Sequence, residues 1–232
     1  MGTAVTFASN GGTASGYLAS PASGTGPGVI VIQEWWGLND QIKGVCEMLA
    51  GRGFNALAPD FYHGKSARND EPNEAQKLMM EFFQTNTAAE DARGAAVFLE
   101  GHPGTSTTAR IGAIGFCMGG YLALMTGAVA SGKVGAVVDC YGVGQRLPDL
   151  AALTGVAVLG LFGGKDHSAG PEAVEALTRG LKAAGIEHEI RTYPEADHAF
   201  MNEQRSEVYR SGDAQDAWER AIAFLRTNLQ RR

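Results

Sequence analysis

Cysteine is scarce: 232 residues contain three, an odd number, set far apart as Cys46, Cys117 and Cys140 with no C-x-x-C pair. That excludes a disulfide framework and a cysteine-based structural zinc site, and it makes free thiols in a reducing, cytoplasmic setting the expectation. Positive charge is scarce too. The net charge is −6, and the one concentrated basic pair, Arg231–Arg232, reads as a solvated terminus. With no basic stripe to neutralise phosphates, nucleic acid is not an expected partner. Long apolar runs are missing, since no stretch reaches the 18 or so residues of a membrane span. Met1 to Gly16 has no positive cluster followed by an apolar core, so no secretion signal is expected. No period of 20 to 50 residues suggests a repeat architecture.

What is present is glycine. There are 32 glycines, with 44% hydrophobic and 19% charged residues, the composition of a globular chain with many tight connections. The length suits one α/β domain, residues 1–232, with no low-complexity linker dividing it. Thr3–Phe7 and Ala14–Ala19, joined through Asn10-Gly11-Gly12, predict an antiparallel hairpin. Apolar, β-branched Val29–Ile32 predicts a strand buried on both faces. Further strands are expected at Phe54–Ala58, Ile111–Gly115, Gly135–Cys140, Val156–Phe162 and Glu189–Tyr193. Helices are expected at Asp40–Ala50, Glu74–Thr85, Ala89–Leu99, Tyr121–Val129, Pro171–Ala184 and Ala214–Leu229, the last with Trp218, Ile222, Leu225 and Leu229 as its apolar stripe. Strands alternating with helices imply an α/β fold with a mostly parallel central sheet, helices on both faces and an N-terminal antiparallel hairpin. Chemistry in such sheets lies just beyond the carboxyl ends of the strands.

The strongest motif there is Gly115-Phe116-Cys117-Met118-Gly119-Gly120, directly after a strand and opening a helix. Glycines two before and two after a nucleophile permit a sharp turn that lifts the middle side chain over the sheet edge. The helix N-terminus favours a thiolate, and the Met118 N–H can face an oxyanion. A small buried cysteine beside a tight turn is the competing explanation. A general base belongs after the last strand, where His198 stands. The carboxylate that orients it belongs after the preceding strand, where Gly163-Gly164-Lys165-Asp166 puts Asp166. Nucleophile, acid and base then follow the chain order of α/β-hydrolases.

Rivals exist. Asp197 adjoins His198, although loop neighbours rarely point at each other, and Asp139 also ends a strand. His167 has no strand end to carry it, and His63, His102 and His188 read as surface residues. Cys46 falls on a helix's apolar face, and Cys140 closes a strand, so packing is the expected role of both. After the first core strand, Gln33-Glu34-Trp35-Trp36-Gly37-Leu38-Asn39 can supply a second oxyanion donor, the Trp35 N–H. Its paired tryptophans suggest either a binding wall or core packing. Trp36, Phe200 and Asn202 are the expected substrate-contacting positions.

Taken together, Gln33-Glu34 with Gly37 and Asn39, Pro59-Asp60-Phe61-Tyr62, the Cys117 motif, Tyr141-Gly142, Gly164-Lys165-Asp166 and Ala196-Asp197-His198-Ala199-Phe200 resemble the dienelactone hydrolase (carboxymethylenebutenolidase) family. The likeness runs from about Gly28 to Leu229. It implies an α/β-hydrolase fold and a Cys117–His198–Asp166 triad with an oxyanion hole at Trp35 and Met118. It also implies that Glu34 contacts the resting thiol and helps generate the thiolate. One departure concerns the substrate. The family pattern has an arginine four residues after the triad histidine, where this chain has Asn202. A second clamp arginine is missing near the start of the Glu74–Thr85 helix, where Arg68 is nearest and Pro72 and Asn73 stand. The expected activity is hydrolysis of a small ester or lactone through a thioester acyl-enzyme, without metal or organic cofactor, by a monomer or small homo-oligomer. A general esterase or acyltransferase on neutral esters, and a non-catalytic thiol sensor or binding protein, are the alternatives.

Overall fold

The computed structural model describes residues 1–85, 87–144 and 147–230; the Arg231–Arg232 pair lies outside the described residues. Strands β1 (Thr3–Ser9) and β2 (Gly12–Ala19) pair antiparallel, with Thr3 opposite Leu18 and Ser9 opposite Gly12. Asn10 and Gly11 both adopt positive φ, 49° and 71°, as a two-residue hairpin with a right-handed twist requires.

The interior strands are β3 (Gly28–Ile32), β4 (Asn55–Pro59), β5 (Ile111–Phe116), β6 (Val134–Cys140) and β7 (Ala157–Gly163). All their residues are buried, which is possible only with cover on both faces. β8 (His188–Tyr193) closes one edge and is largely solvent-facing. The eight strands form one sheet in the order β1-β2-β4-β3-β5-β6-β7-β8. Pairing is parallel from β4 through β8 and antiparallel at β1–β2 and β2–β4.

Six helices cover it: α1 (Asp40–Gly51), α2 (Pro72–Thr85), α3 (Ala88–Gly101), α4 (Met118–Val129), α5 (Pro171–Ala183) and α6 (Ser211–Leu229). α1 begins where the Asn39 side chain accepts the Ile42 N–H at 3.2 Å, satisfying one of the first-turn donors. It buries Ile42, Val45, Cys46 and Leu49, the predicted face. In α6, Ile222, Leu225 and Leu229 are buried, each contributing about 1.5–3 kcal/mol relative to exposure.

Some local features differ from expectation. α4 begins at Met118 and not at Tyr121, because Gly119 and Gly120 join its first turn despite glycine's poor helix propensity. A short 3-10 turn at Leu150–Leu153, capped by the Asp149 side chain accepting the Ala151 N–H at 3.1 Å, has no apolar period to reveal it. Of the histidines read as surface residues, His63 is exposed as expected, though it is paired, and His102 is half-buried. The His63 Nε2 stands 3.2 Å from buried Asp91, and the half-buried His102 Nδ1 accepts the Gly104 N–H at 3.0 Å.

The topology fixes where a site can form. From β3 the chain moves to β4 on one side, then returns through α2 and α3 to β5 on the other. The loops after β3 and β5 therefore diverge at the carboxyl edge and leave a crevice between them, the switch point at which such sheets hold ligands. Ile32 pairs beside Gly115 at that edge.

Candidate active site

Cys117 stands at the crevice, between the end of β5 and the start of α4. Its φ and ψ of 55° and −123° lie in a region that non-glycine residues rarely occupy, a strained turn held by its surroundings. Two neighbours explain what holds it. A Cβ at Gly115 would collide with the backbone of Gly119, and one at Gly119 would collide with the carbonyls of Ile32 and Gln33. Only glycine lets helix α4 approach β3 and β5 this closely. The Cys117 N–H donates to the Cys140 carbonyl at 2.9 Å, pinning the turn to β6. Cys117 is half-buried, whereas Cys46 and Cys140 are fully buried free thiols whose pKa values are pushed up by burial.

The loop after β7 carries Asp166 and the loop after β8 carries His198. The His198 Nδ1 lies 2.7 Å from Asp166 Oδ2. The other carboxylate oxygen of Asp166 accepts the N–H groups of Ser168 and Ala169 at 2.7 and 2.8 Å, so both oxygens are engaged and the carboxylate cannot rotate freely. Burial pulls the His198 pKa down, but hydrogen bonds with Asp166 and Cys117 outweigh it and raise the value from 6.5 to about 10. On Asp166, burial works upward and the His198 contacts and backbone donors prevail, lowering its pKa. Cys117 and His198 line one cavity. An imidazole with its Nδ1 held by a carboxylate presents Nε2 to a proton donor.

Of the rivals, Asp139 serves elsewhere. It is fully buried and its Oδ1 accepts the Gly142 N–H at 2.8 Å, bracing the loop that carries Tyr141; burial pushes its pKa to about 7. The other rival, Asp197, is not the carboxylate on His198 Nδ1; that place is taken by Asp166.

Glu34 and Trp35 lie in the turn after β3, closed by Gly37 N–H donating to the Glu34 carbonyl at 3.2 Å. Trp35 is half-buried and Trp36 buried, their rings edge to face at 5.0 Å. Glu34 is 2% exposed. Burial raises its pKa against the pull of His198 and of Asn202, whose Nδ2 donates to Glu34 Oε2 at 3.1 Å. Fully buried Tyr141 packs its ring edge to face against His198, at 5.2 Å between centroids. The Tyr141 hydroxyl, Glu34 Oε1 and both polar atoms of the Gln33 amide are buried without a hydrogen-bond partner, so the floor beneath the cavity is rich in polar groups.

The cavity itself, about 210 Å³, is walled by Met79 and Phe83 of α2, Met118 and Tyr121 of α4, and Tyr141 and Val143 after β6. Trp36, Phe200 and Asn202 do not line it. All three are buried, with Phe200 packed behind Tyr141 at 5.8 Å and against Tyr193 at 5.0 Å. The contribution of α2 went unforeseen in the sequence. Its signal is an excess of apolar residues: Leu78 and Phe82 already form the buried stripe, yet Met79, Met80 and Phe83 are present as well. Among the described residues, no group of three or more His, Cys, Asp or Glu side chains is placed to hold a metal ion, and no helix is long and apolar enough to cross a membrane.

Comparisons with known proteins agree on one kinship. The profile described as "Dienelactone hydrolase family" matches residues 14–229. "Protein usf" of Aquifex pyrophilus is 37% identical over 99% of this chain and 100% of its own length. A protein named "Putative carboxymethylenebutenolidase" in Aquifex aeolicus is 35% identical over 99% of this chain and 100% of its own. The crystal structure of a "Putative Dienelactone Hydrolase" from Klebsiella pneumoniae superposes with a TM-score of 0.82 at 30% identity, covering 97% of this chain and 99% of that one.

Proposed function

Since the chain belongs to the dienelactone hydrolase family and is a hydrolase of the α/β-hydrolase fold, we propose that it cleaves the ester bond of a small ester or lactone with Cys117 as nucleophile, His198 as acid and base, and Asp166 as the group that orients His198. The observation that carries this reading is the 2.7 Å contact between Asp166 Oδ2 and His198 Nδ1, beside a cysteine on a strained strand-to-helix turn in the same cavity.

The proposed steps are those of a cysteine hydrolase. The Cys117 thiol proton rests on His198 Nε2, as the raised His198 pKa favours, and the thiolate Sγ bonds to the carbonyl carbon. The carbonyl π pair moves onto oxygen, and the backbone N–H groups of Trp35 and Met118 hold the resulting oxyanion. The C–O bond of the ester then breaks as the pair returns. His198 gives its proton to the leaving alkoxide, which in a lactone stays tethered as a hydroxyl. A water molecule attacks the thioester, its proton goes to His198, the C–S bond breaks and the thiolate is recovered. Glu34 takes the part that the family likeness gives it, contacting the resting thiol and helping to generate the thiolate. Its burial raises its pKa above the ordinary carboxylate value, which favours the protonated carboxyl.

The test compares two cysteines. Cys117→Ala removes turnover of p-nitrophenyl acetate, and Cys46→Ala retains it. Equal loss in both variants, or activity surviving in Cys117→Ala, contradicts the assignment.

A further inference from the structure

We propose that the cavity over Cys117 selects uncharged esters bearing a single aromatic ring or a comparably compact apolar group, and rejects substrates with a free carboxylate. This rests on the Cys117 hydrolase reading above and names its substrate class.

The first support is the chemistry of the wall. Met79, Phe83, Met118, Tyr121 and Val143 present thioether, aromatic and aliphatic surface, and no lysine or arginine is among the described residues that line the cavity. Its one titratable cation, His198, is already neutralised by Asp166 at 2.7 Å. A substrate carboxylate placed here would meet the Ser168 and Tyr121 hydroxyls but no free cation among the described lining residues, and burial of a charge without a counter-charge is unfavourable.

The second support is where the nearby cations are. At the position where the family likeness puts one clamp arginine, Asn202 is 1% exposed. Both ends of its amide are occupied, Nδ2 on Glu34 at 3.1 Å and Oδ1 on the Gln204 N–H at 3.0 Å. Arg68, nearest to the other clamp position, is exposed and bound to Asp70 at 3.0 Å and Glu71 at 3.3 Å. Lys65 is paired with Glu81 at 3.1 Å and Arg205 with Glu207 at 2.8 Å. Beneath the floor lie the buried acids Glu34 and Asp139. Among the described residues, Lys65, Arg68 and Arg205 are thus each already paired with a carboxylate of this chain.

The third support is size and shape. An apolar cavity of about 150 Å³ takes up benzene, so a recess of about 210 Å³, open to solvent on one side, is large enough to seat one ring or a short branched chain. Phe83 is 45% exposed at the rim, where its ring is open to a bound group. Its ring stands edge to face with Tyr121 at 6.5 Å, an arrangement to which a further aromatic edge or face can be added. Phe83 and Met79 are therefore specificity residues: they touch the substrate's apolar group and not its reacting carbonyl.

The test uses two matched pairs, one with the charge on each side of the ester bond: phenyl acetate against 4-carboxyphenyl acetate, and 4-nitrophenyl butyrate against mono-4-nitrophenyl succinate. In both, kcat/KM for the neutral member is expected to exceed that of the anion about 100-fold. Phe83→Arg, checked for folding by its melting temperature, should cut that preference by about tenfold by giving the carboxylate a partner; Met79→Lys is the second variant with the same expectation. A carboxylate member turned over as fast as its neutral partner, with turnover still dependent on Cys117, overturns the specificity while leaving the hydrolase reading in place. No Cys117-dependent turnover of any of the four esters overturns both.

Discussion

Asn202 Nδ2 donates to Glu34 Oε2 at 3.1 Å, joining residues 168 apart in sequence beneath the nucleophile turn. The Glu34 carboxyl is buried, with the Trp36 indole and the Tyr141 hydroxyl also beside it. Asn202→Ala should therefore deprive a buried carboxyl of its amide donor, at a cost of about 1–3 kcal/mol. The expected readout is a melting temperature several degrees below wild type at neutral pH, with Glu34→Gln in the same background recovering part of the loss. An Asn202→Ala protein that melts with the wild type contradicts this.

Asp166→Asn tests orientation apart from charge. The asparagine can still accept the Ser168 and Ala169 N–H groups through its oxygen, so the loop should hold. The tautomer it imposes on His198 is the wrong one for a base. In the Ser-His-Asp template the same exchange lowers kcat about 10⁴-fold, and a loss of about 10²–10⁴-fold in steady-state esterase assays is expected here. A loss under about threefold would mean that Asp166 does not orient His198.

The His198 contact predicts a pH window. Its folded pKa, about 10, lies above the unfolded 6.5. The group therefore contributes stability that is fully present below about pH 6.5 and lost as pH rises toward 10. NMR titration of the imidazole should find His198 protonated well above pH 7 in the wild type. In Asp166→Asn its midpoint should move down. A wild-type midpoint at or below 6.5 refutes the coupling.

Asp139 carries the opposite kind of linkage. Burial raises its folded pKa from 3.8 to about 7, so between those values the native state binds more protons than the unfolded state and stability falls as pH rises. Asp139→Asn keeps an acceptor for the Gly142 N–H and removes the ionisation. The variant should gain melting temperature relative to wild type on going from pH 5 to pH 8. An unchanged difference would show that Asp139 does not titrate in that range.

Thiol accessibility separates the three cysteines. Cys117 is half-buried and Cys46 and Cys140 are buried. Titration of the folded protein with a disulfide reagent should modify one thiol per chain, lost in Cys117→Ala, and three after denaturation. Rapid modification of Cys46 in the native state would contradict the packing.

How much of this was legible in the sequence depends on the reach of each signal. The sheet strands were readable because burial on both faces demands continuous apolar runs, as in Val29–Ile32. The Cys117 turn was readable because its glycines are required by close backbone approaches within a few residues. Chain order alone suggested Asp166 and His198, since each follows a strand end. The cavity wall was not readable. Spacing on α2 says which residues share a face, but not that Met79 and Phe83 will face Cys117 across the crevice. Likewise Asn202 and Phe200 are close to His198 in sequence, yet the chain after β8 turns them inward, onto Glu34 and behind Tyr141. Proximity along a loop carries no information about direction.

The account turns on a covalent sulfur–acyl bond, and one measurement addresses it directly. Wild-type protein mixed with 4-nitrophenyl butyrate, quenched in acid within the first turnovers and digested, should show the mass of one butyryl group on the peptide carrying Cys117, removable by hydroxylamine. The same group on a serine or lysine peptide, or no adduct during active turnover in wild type and in His198→Ala alike, would contradict it.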